Sequence, residues 1–528
     1  MSVRDPQDAP QTPSAMQQTA ISLLALALTL SCAAVGPQQQ VAKAAPAPRG
    51  IPSVELFQTT RGGDRLKLVE VSAAPAADGA RRLTLDPSTT FQTLEGIGGS
   101  FTEASGQVLT ELSAGKRDEV LKAYFSPEGA HYSLTRTHIG SCDFSVKHYS
   151  YAPVPDDVAL DHFTIEPDRN YLLPMIKDAQ QVEGASFKVL SSPWTAPPWM
   201  KDNGWWHGGE LKPEHYSTFA DYIVRYLKAY EAEGIPVWGI TPENEPLGNG
   251  GNWESLHFNA EQMRMFIADH LGPALAASGL DTTLWMYDQN REEEMIEWAN
   301  VILGDERAAS FVDGMAVHWY QSTVDVGAEA LAHVQEKFPN TPILHSEGCI
   351  DAMGDDEPVG CWLEDDWYWR PAATDWGFIW APEEDKPAHP PYRPFYRYTR
   401  DLIGGLNQGL VGWIDWNMVL DTRGGPNHVR NYCLAPVMVD SGRDHVYYSP
   451  LYYSVAHFSR FMRPGAKRIA IDGHDDDLMA TAVQNPDGSI AVAVFNLTQG
   501  PVAYAVEHGD RTIPVTIEGQ ALQTLVLR

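Results

Sequence analysis

Positively charged residues are scarce in this sequence. Its 528 residues include 38 Lys and Arg against 69 Asp and Glu, which gives a formal net charge of −31 at pH 7. A protein of that charge is repelled by the phosphates of nucleic acids and by anionic lipid headgroups. We therefore expect no nucleic-acid partner, and we interpret the excess of acidic residues as a solvated surface.

Cysteine is also scarce, with five residues in the whole chain. Cys32 belongs to an apolar N-terminal segment, which leaves Cys142, Cys349, Cys361 and Cys433. Four cysteines in a chain of this length cannot form a disulfide framework of the kind that stabilises small secreted domains. They leave room for a single bridge, and Cys349 with Cys361 is one option.

Long apolar runs are confined to "AISLLALALTLSCAAV" at residues 20–35. This run is too short for a comfortable membrane span, and the small residues of "AKAA" follow it, as in a secretory signal and its cleavage region. We expect residues 1–50 to be a signal peptide and leader. The mature chain is then exported, to the periplasm or the exterior, without an integral membrane span. A lipid anchor on Cys32 is the alternative.

Motifs for metal and cofactor chemistry are missing. The 17 histidines include no HExxH pair, no paired cysteines carry zinc-site spacing, and no Gly-rich phosphate-binding loop follows a strand candidate. We expect no metal and no cofactor. We expect His138, His207, His345 and His428 to pack or to form hydrogen bonds.

Short apolar runs alternate with longer amphipathic stretches between residues 94 and 445, a pattern typical of parallel β/α units. Each strand candidate ends in polar or aromatic residues, as a (β/α)8 TIM barrel requires when its active site lies at the C-terminal ends of the strands. A doubly wound open sheet is the alternative. The eight candidates are "LEGIGGS", "SLTRTHIG", "FKVLSSPW", "VWGITPENEP", "TLWMYDQN", "VDGMAVHWY", "PILHSEG" and "LVGWIDWN".

Strand-like composition with turn residues flanks this region, at residues 51–93 and 446–528. The hairpin turn "NPDG" lies in the second stretch. We predict a small β-sandwich that is discontinuous in sequence, with the N-terminal strands completing it. The acidic, Trp-rich segment 350–395 interrupts the unit between the last two barrel strands. Because long loops at a barrel mouth usually serve function, we expect this segment to influence substrate choice.

Two carboxylates follow the fourth strand candidate. In "TPENEP" (residues 241–246), Glu243 and Glu245 come directly after "VWGI". Pro246 favours extended backbone at the residue before it, which predicts that Glu245 faces the mouth and that Glu243 lies one layer deeper. Glu347 ends the seventh candidate. One protonated and one ionised carboxyl on opposite sides of a sugar are what glycosidic cleavage requires.

Aromatic residues end several of the same candidates. Trp194, Tyr320 and Trp416 are expected at the mouth, where flat rings pack against sugar C–H faces. Trp413 is expected in the barrel core. Three further carboxylates end strands two, five and eight and are expected near the mouth, namely Asp143, Asp288 and Asp415.

Eight segments, in order along the chain, resemble glycoside hydrolase family 30, and most closely its glucosylceramidase branch. Each segment alone is weakly specific, but their shared order through the barrel region makes the resemblance strong. The segments are "FQTLEGIGGSFTEA", "YFSPEG", "SCDFS", "SPWTAPPWM", "TPENEP", "MAVHWY", "HSEGC" and "GWIDWN…GGPNHVRN".

The resemblance implies a retaining mechanism with Glu245 as acid/base and Glu347 as nucleophile. It implies that Asn244 bonds the sugar 2-hydroxyl and that Arg136 and His318 orient the catalytic groups. It further implies sugar contacts or places near the mouth for Asp143, Trp194, Tyr320, Trp416 and Asn427.

The implied activity is that of an exo-acting β-glucosidase on glucosylceramide or a similar β-glucoside. Within the same family, a β-1,6-glucanase or a β-xylosidase is the alternative. A non-catalytic carbohydrate-binding protein is an alternative of another class. Binding alone does not need both Glu245 and Glu347, so the presence of the pair favours an enzyme.

Overall fold

The computed structural model describes residues 53–71, 79–353, 369 and 393–528. The predicted leader, Cys32, Cys361 and most of the 350–395 segment lie outside the described residues. Within those ranges, none of the helices combines the length and apolarity that a membrane span needs.

The strands in the first part of the described chain are β1 (Val54–Thr59), β2 (Lys67–Val69), β3 (Arg81–Thr93), β4 (Gly96–Phe101), β5 (Leu134–Ile139), β6 (Lys188–Pro193), β7 (Gly239–Ile240), β8 (Thr283–Asn290), β9 (Gly314–His318) and β10 (Ile343–Glu347). Those that follow are β11 (Ile350–Met353), β12 (Leu410–Asn417), β13 (Val419–Asp421), β14 (Tyr432–Leu434), β15 (Val437–Asp440), β16 (His445–Tyr448), β17 (Lys467–Asp472), β18 (Leu478–Gln484), β19 (Ile490–Asn496), β20 (Val502–His508), β21 (Arg511–Ile517) and β22 (Leu522–Leu527).

The α-helices of the same ranges are α1 (Glu103–Glu111), α2 (Ala114–Phe125), α3 (Leu172–Gln180), α4 (Tyr216–Ala232), α5 (Ala260–Met265), α6 (Gly272–Ser278), α7 (Glu293–Ile302), α8 (Glu306–Ala309), α9 (Ala328–Lys337), α10 (Arg393–Asn407) and α11 (Pro450–Ser459). A π-helical segment, Phe266–Leu271, joins α5 to α6.

Eight parallel strands close into a barrel in the order β10-β12-β4-β5-β6-β7-β8-β9. The predicted TIM barrel is confirmed, and each of the eight strand candidates supplies one strand. The strands approach closely at β4, where a Cβ on Gly98 would lie 2.0 Å from the carbonyl oxygen of Leu134 on β5. Glycine is therefore required at this point of the barrel wall.

Strands from both ends of the described chain share one sheet, in the order β2-β1-β22-β19-β18-β17-β3-β20-β21. This is the predicted discontinuous side domain. Successive side chains of a strand point to opposite faces. Along β19, Val492 and Val494 enter the domain's own core, whereas Ala493 and Phe495 join the core of the barrel. The sheet thus encloses one core and packs against the barrel with its other face.

A buried histidine links the barrel to this sheet. His457 on α11 contacts the hydroxyl oxygen of Thr524 on β22 through Nδ1 at 2.8 Å and that of Thr59 on β1 through Nε2 at 2.9 Å. Burial lowers the pKa of His457 to about 3. The folded protein therefore holds this ring neutral at pH values where an unfolded chain, with a histidine pKa of about 6.5, binds a proton.

We predict that His457 weakens the folded state in acid. Its contribution to stability is complete above the unfolded pKa and is lost as the pH falls from there toward the folded pKa. Between pH 7 and pH 5 the loss amounts to about 2 kcal/mol of unfolding free energy. In the His457→Gln variant, the unfolding free energy should fall by about 2 kcal/mol less between pH 7 and pH 5 than in the unaltered protein. Urea unfolding followed by fluorescence measures this difference. The exposed His162, changed to Gln, serves as the control, and an equally steep fall in both variants would contradict the prediction.

Candidate active site

The C-terminal ends of the barrel strands bring Glu245 and Glu347 to one mouth. Glu347 is the last residue of β10, and Glu245 follows β7 by five residues. The backbone at Glu245 has φ of 49°, in the left-handed region. The expected extended conformation was wrong. Pro246 disfavours right-handed helical backbone at the residue before it, and Glu245 avoids that conformation by adopting left-handed backbone instead of extended backbone. Its N–H donates to the carbonyl of Asp288 at 3.0 Å, which holds this turn in place.

Three barrel strands are irregular where they reach the mouth. The pairing register shifts between Tyr287 and Gln289 in β8, between His345 and Glu347 in β10, and between Asp415 and Asn417 in β12. Such bulges redirect side chains relative to strict alternation. They occur beside the residues that build the site, Asp288, Glu347 and Trp416.

A cavity of about 220 Å³ lies at the mouth. Seven of the eight residues predicted to catalyse or to bind sugar line it; Asn427 does not. The full lining is Asp143, Trp194, Asn244, Glu245, Gly248, Asn249, Trp253, Gln289, Asn290, Tyr320, Glu347, Cys349, Trp416 and Asn431.

His318 lies between the two carboxylates. One oxygen of Glu245, one of Glu347 and a ring nitrogen of His318 all lie within 4.8 Å of one another. The Nδ1 of His318 is 3.5 Å from Glu245 Oε1 and 4.0 Å from Glu347 Oε1, and its Nε2 is 3.0 Å from Asp288 Oδ1. Burial lowers the pKa of His318, but the charge of Glu347 and the bond to Asp288 raise it overall, to about 9. The ring is therefore a cation at neutral pH.

Arg136 on β5 is fully buried and donates to groups on four other strands or their ends. Its guanidinium bonds to Glu347, to Asn244 Oδ1 at 2.7 Å, to Asp288 Oδ2 at 2.8 Å and to Ser192 Oγ at 3.1 Å. Although burial alone would raise it, the Arg136 charge holds the pKa of Asp288 well below its usual range. The ionised Asp288 thus neutralises much of the charge of Arg136 and His318.

Glu347 and Glu245 have different surroundings. Glu347 accepts hydrogen bonds from Arg136 and, at 2.9 Å, from the hydroxyl of Tyr320, and these two donors fix the orientation of its carboxyl group. Burial raises the pKa of Glu245; His318 opposes this rise, and the charge of Glu347 reinforces it. The site therefore pairs a carboxyl group held by two hydrogen-bond donors with a second carboxyl group, that of Glu245, whose pKa is raised.

Glu243 lies below the cavity, as the sequence predicts. It is fully buried, and neither carboxyl oxygen has a hydrogen-bond partner among the described residues. Burial raises its pKa well above the usual range, against the opposing charge of Lys201. Glu243 is therefore a neutral, buried acid without access to the cavity.

Two stacked tryptophan rings lie beside Arg136. The rings of Trp194 and Trp416 stack with centroids 5.0 Å apart, and the guanidinium lies 4.8 Å from the first centroid and 5.7 Å from the second. Both rings are 2% exposed and line the cavity. Trp413 is in the barrel core, as expected, where it stacks on His345 at 4.8 Å and donates to Asp401 at 2.9 Å.

The loop after β13 contributes Asn431, which the sequence did not single out. Its amide donates to Asp143 Oδ2 at 2.8 Å inside the cavity. The expectation for Asn427 needs correction, because its side chain accepts from the backbone N–H groups of Val429 and Asn431 and so shapes the loop. Asn427 thus supports the residue that reaches the site.

Asp415 and Cys349 also have defined contacts near the mouth. Asp415 accepts from the hydroxyl of Tyr398 at 2.5 Å and does not line the cavity. The Cys349 sulfur lies 3.4 Å from the Tyr320 hydroxyl and 3.6 Å from the Cys433 sulfur. The predicted partner Cys361 lies outside the described residues.

Family models match most of this architecture. The glycosyl hydrolase family 30 TIM-barrel domain matches residues 94–365 and 391–462, and the family 30 β-sandwich domain matches residues 465–525. The chain belongs to glycosyl hydrolase family 30. It is a glycoside hydrolase, and the family that the sequence motifs indicated is confirmed.

Relatives with sequence or structural similarity agree with this family. The chain is 34% identical over 484 residues to the lysosomal acid glucosylceramidase of Mus musculus. The aligned region covers 89% of this chain and 88% of the mouse protein. The crystal structure of SrfJ from Salmonella typhimurium has a TM-score of 0.77 at 28% identity, covering 90% of this chain and 99% of SrfJ. An endo-β1,6-glucanase structure has a TM-score of 0.76 at 26% identity, covering 90% and 98%.

We predict that this family 30 enzyme depends on Arg136 for folding stability as well as for its site. Arg136→Met would leave the charges of Asp288 and Glu347 buried without their cation, which typically costs about 3–5 kcal/mol. Thermal unfolding should show a large fall in Tm. The matched control is Arg117→Met, because Arg117 lies at the surface 4.0 Å from Asp178, where an ion pair contributes about 0–1 kcal/mol. Similar losses in both variants would contradict the prediction.

Proposed function

We propose that the protein is a retaining, exo-acting β-glucosidase that hydrolyses β-glucosides such as glucosylceramide through a covalent glucosyl-enzyme intermediate. The observation that carries this proposal is the separation of the Glu245 and Glu347 oxygens, which is within 4.8 Å. Carboxyl groups lie roughly 5–5.5 Å apart in retaining glycosidases and 6.5–9.5 Å apart in inverting ones, where a water must fit between. The short separation favours direct attack by a carboxylate.

Glu347 is the proposed nucleophile. It receives hydrogen bonds from Arg136 and Tyr320, which fix its orientation. A nucleophile in this mechanism must be charged before the sugar arrives. Each carboxylate oxygen is held by one donor, since Oε1 accepts from Tyr320 and Oε2 from Arg136.

Glu245 is the proposed acid/base. Its raised pKa keeps a proton on the carboxyl for transfer to the glycosidic oxygen while Glu347 attacks the anomeric carbon and the bond to the aglycone breaks. Once Glu347 is esterified its negative charge is gone, so one cause of the raised pKa of Glu245 disappears. Glu245 can then accept a proton from the water that attacks the anomeric carbon and releases glucose and free Glu347.

The remaining lining residues suit a single sugar ring. Asn244 Oδ1 accepts from Arg136, so its NH2 group is left to donate, and we assign it to the sugar 2-hydroxyl. Asp143, Trp194 and Trp416 are assigned to the other hydroxyls and to the ring faces. The cavity of about 220 Å³ is smaller than the ~300 Å³ or more typical of drug-sized ligands, which supports cleavage at a chain end.

The proposed aglycone rests on the similarity of this chain to proteins of known activity. The mouse relative, which matches along most of both chains, is a glucosylceramidase. The structural match to an endo-β1,6-glucanase makes a β-1,6-glucan the second candidate, since the same glucose-binding residues can serve both substrates. We further propose, from residues 20–35 alone, that the mature enzyme acts after export.

We predict that purified enzyme releases glucose from glucosylceramide in detergent micelles faster than from gentiobiose or a β-1,6-glucan, and that it leaves an aryl β-xyloside largely intact. Side-by-side hydrolysis with glucose detection checks this order. Faster turnover of the glucan, with oligosaccharide products, would favour the endo-glucanase instead. Failure to hydrolyse an aryl β-glucoside from pH 4 to 8 by folded protein would contradict the catalytic assignment.

We also predict opposite product anomers from two azide-rescued variants. Glu347→Gly opens space on the face opposite the leaving group while Glu245 still donates its proton, so azide should displace an activated aglycone once and give the α-glucosyl azide. Glu245→Gly keeps the nucleophile, so azide should attack the glucosyl enzyme and give the β-glucosyl azide. The anomeric coupling in NMR distinguishes the products.

The control for this experiment is Glu243→Gly, two residues from Glu245 in the same motif. Because Glu243 has no access to the cavity, azide should give no rescue in this variant. A β-azide from Glu347→Gly, or rescue of Glu243→Gly in place of Glu245→Gly, would overturn the division of roles.

A further inference from the structure

Three histidines and one glutamate meet at the barrel mouth beside the catalytic cavity. His148 lies on the loop after β5, His207 on the loop after β6, Glu254 on the loop after β7 and His428 on the loop between β13 and β14. We call these four residues the His–Glu cluster. None of them lines the catalytic cavity, and the proposed hydrolysis does not use them.

The ligand-type atoms of the His–Glu cluster are close together. Glu254 Oε1 is 2.8 Å from His148 Nδ1 and 3.2 Å from His428 Nε2, and those two nitrogens are 3.1 Å apart. A ring nitrogen of His207 lies within 4.8 Å of ligand atoms of His148 and Glu254. Ligands bound to tetrahedral zinc at about 2.0–2.1 Å lie roughly 3.3 Å from one another. Three of the four groups are thus close to the spacing that an ion would impose.

The second nitrogens of two rings are held by backbone carbonyls. His428 Nδ1 contacts the carbonyl oxygen of Ser145 at 2.8 Å, and His207 Nδ1 contacts that of Gly251 at 3.1 Å. A carbonyl accepts a hydrogen bond, so each Nδ1 carries its proton, and in the neutral form of each ring the Nε2 lone pair points away from that carbonyl. Metal-binding histidines typically have this arrangement, with the outer N–H donated to a carbonyl.

The His–Glu cluster has unsatisfied polar atoms. His207 Nε2 and Glu254 Oε2 are buried and have no hydrogen-bond partner within the described residues. A neutral His428 would also direct its Nε2 lone pair at a carboxylate oxygen and at His148 Nδ1, which is repulsive unless a cation lies between them. An extra proton on His428 would satisfy its own contacts but would leave His207 Nε2 and Glu254 Oε2 without partners.

We propose that His148, His207, His428 and Glu254 form a binding site for a divalent transition-metal ion such as Zn²⁺. Imidazole nitrogens with one carboxylate oxygen are a donor set that zinc prefers. No motif in the sequence indicates this site, because the four residues are spread over 281 positions without a common spacing. The expectation of purely packed or hydrogen-bonded histidines is replaced here by a ligand role for His207 and His428.

The surroundings of the His–Glu cluster are preorganised. The buried Lys201 ammonium donates to the carbonyl oxygens of Trp206 at 3.1 Å and Ser255 at 2.8 Å, which joins the loops that carry His207 and Glu254. His148 stacks on Trp206 with ring centroids 5.3 Å apart, and both residues line a separate groove of about 790 Å³. An ion could enter from that groove.

The site would connect the loops of the mouth. Trp253, next to Glu254, and Asn431, three residues after His428, both line the catalytic cavity. A bound ion would therefore hold together the loops that follow β5, β6, β7 and β13 and would fix the entrance to the cavity. The proposal does not depend on which glucoside the enzyme hydrolyses.

The test uses the full chain, stripped with EDTA and then incubated with Zn²⁺ or Co²⁺ and desalted. We expect retention of one ion per chain by elemental analysis, the visible absorption of low-coordinate Co²⁺, and a Tm raised by a few degrees because the ion binds only the folded state. His207→Ala with His428→Ala should lose all three signals. Glu254→Gln should weaken them. The exposed His162→Ala should retain them.

A second variant separates this site from the catalytic group, in which Glu245, His318 and Glu347 could also bind a cation. Glu347→Gln should retain the ion. Retention of no ion by the unaltered protein, retention by the folded His207/His428 double variant, or loss only in Glu347→Gln would each overturn the proposal. Circular dichroism of each metal-free variant establishes that it is folded.

Discussion

The buried charge of Arg136 is the constraint on which the rest of the active site depends. A guanidinium that is removed from water inside a barrel must be paired and hydrogen-bonded, or the fold loses several kcal/mol. Its partners come from separate strands: Ser192 from β6, Asn244 from the end of β7, Asp288 from β8 and Glu347 from β10. Satisfying one cation therefore fixes the relative positions of four strand ends, and the proposed nucleophile is oriented as a consequence of folding.

That arrangement requires local departures from ideal backbone geometry. Glu245 and Asp288 both have positive φ, 49° and 60°, and β8 and β10 shift register at the mouth. A residue other than glycine with positive φ costs about 1–3 kcal/mol of folding free energy, and this conformation persists only where its surroundings hold it. Here the Glu245 N–H bonds to the Asp288 carbonyl, so the two strained residues stabilise each other. The strain lies next to the proposed acid/base, where it aims a carboxyl that a regular strand would direct elsewhere.

These departures explain what could be predicted from the sequence and what could not. The barrel strands were predictable because buried parallel strands are short apolar runs. Glu347 was predictable because it ends one of these runs, and Glu245 because it follows another within a few residues. The left-handed turn at Glu245 was not, since it depends on Asp288 from another strand. Asn431 replaced Asn427 at the cavity because a loop conformation, which no periodicity encodes, decides which amide points inward. His207 and His428 were predicted as separate packed residues because their proximity arises only from the closed barrel.

Glu243 and Glu245 show how environment separates two identical side chains in one short motif. Both have raised pKa values, and burial is the first cause for both. Glu243 lies under the cavity, where no substrate can reach its proton, so its high pKa has no chemical use. Glu245 shares its site with His318, whose positive charge limits the rise, and with Glu347, whose negative charge adds to it and would vanish on esterification. A pKa suited to both donating and accepting a proton thus requires a neighbouring charge that the reaction itself removes, which burial alone cannot provide.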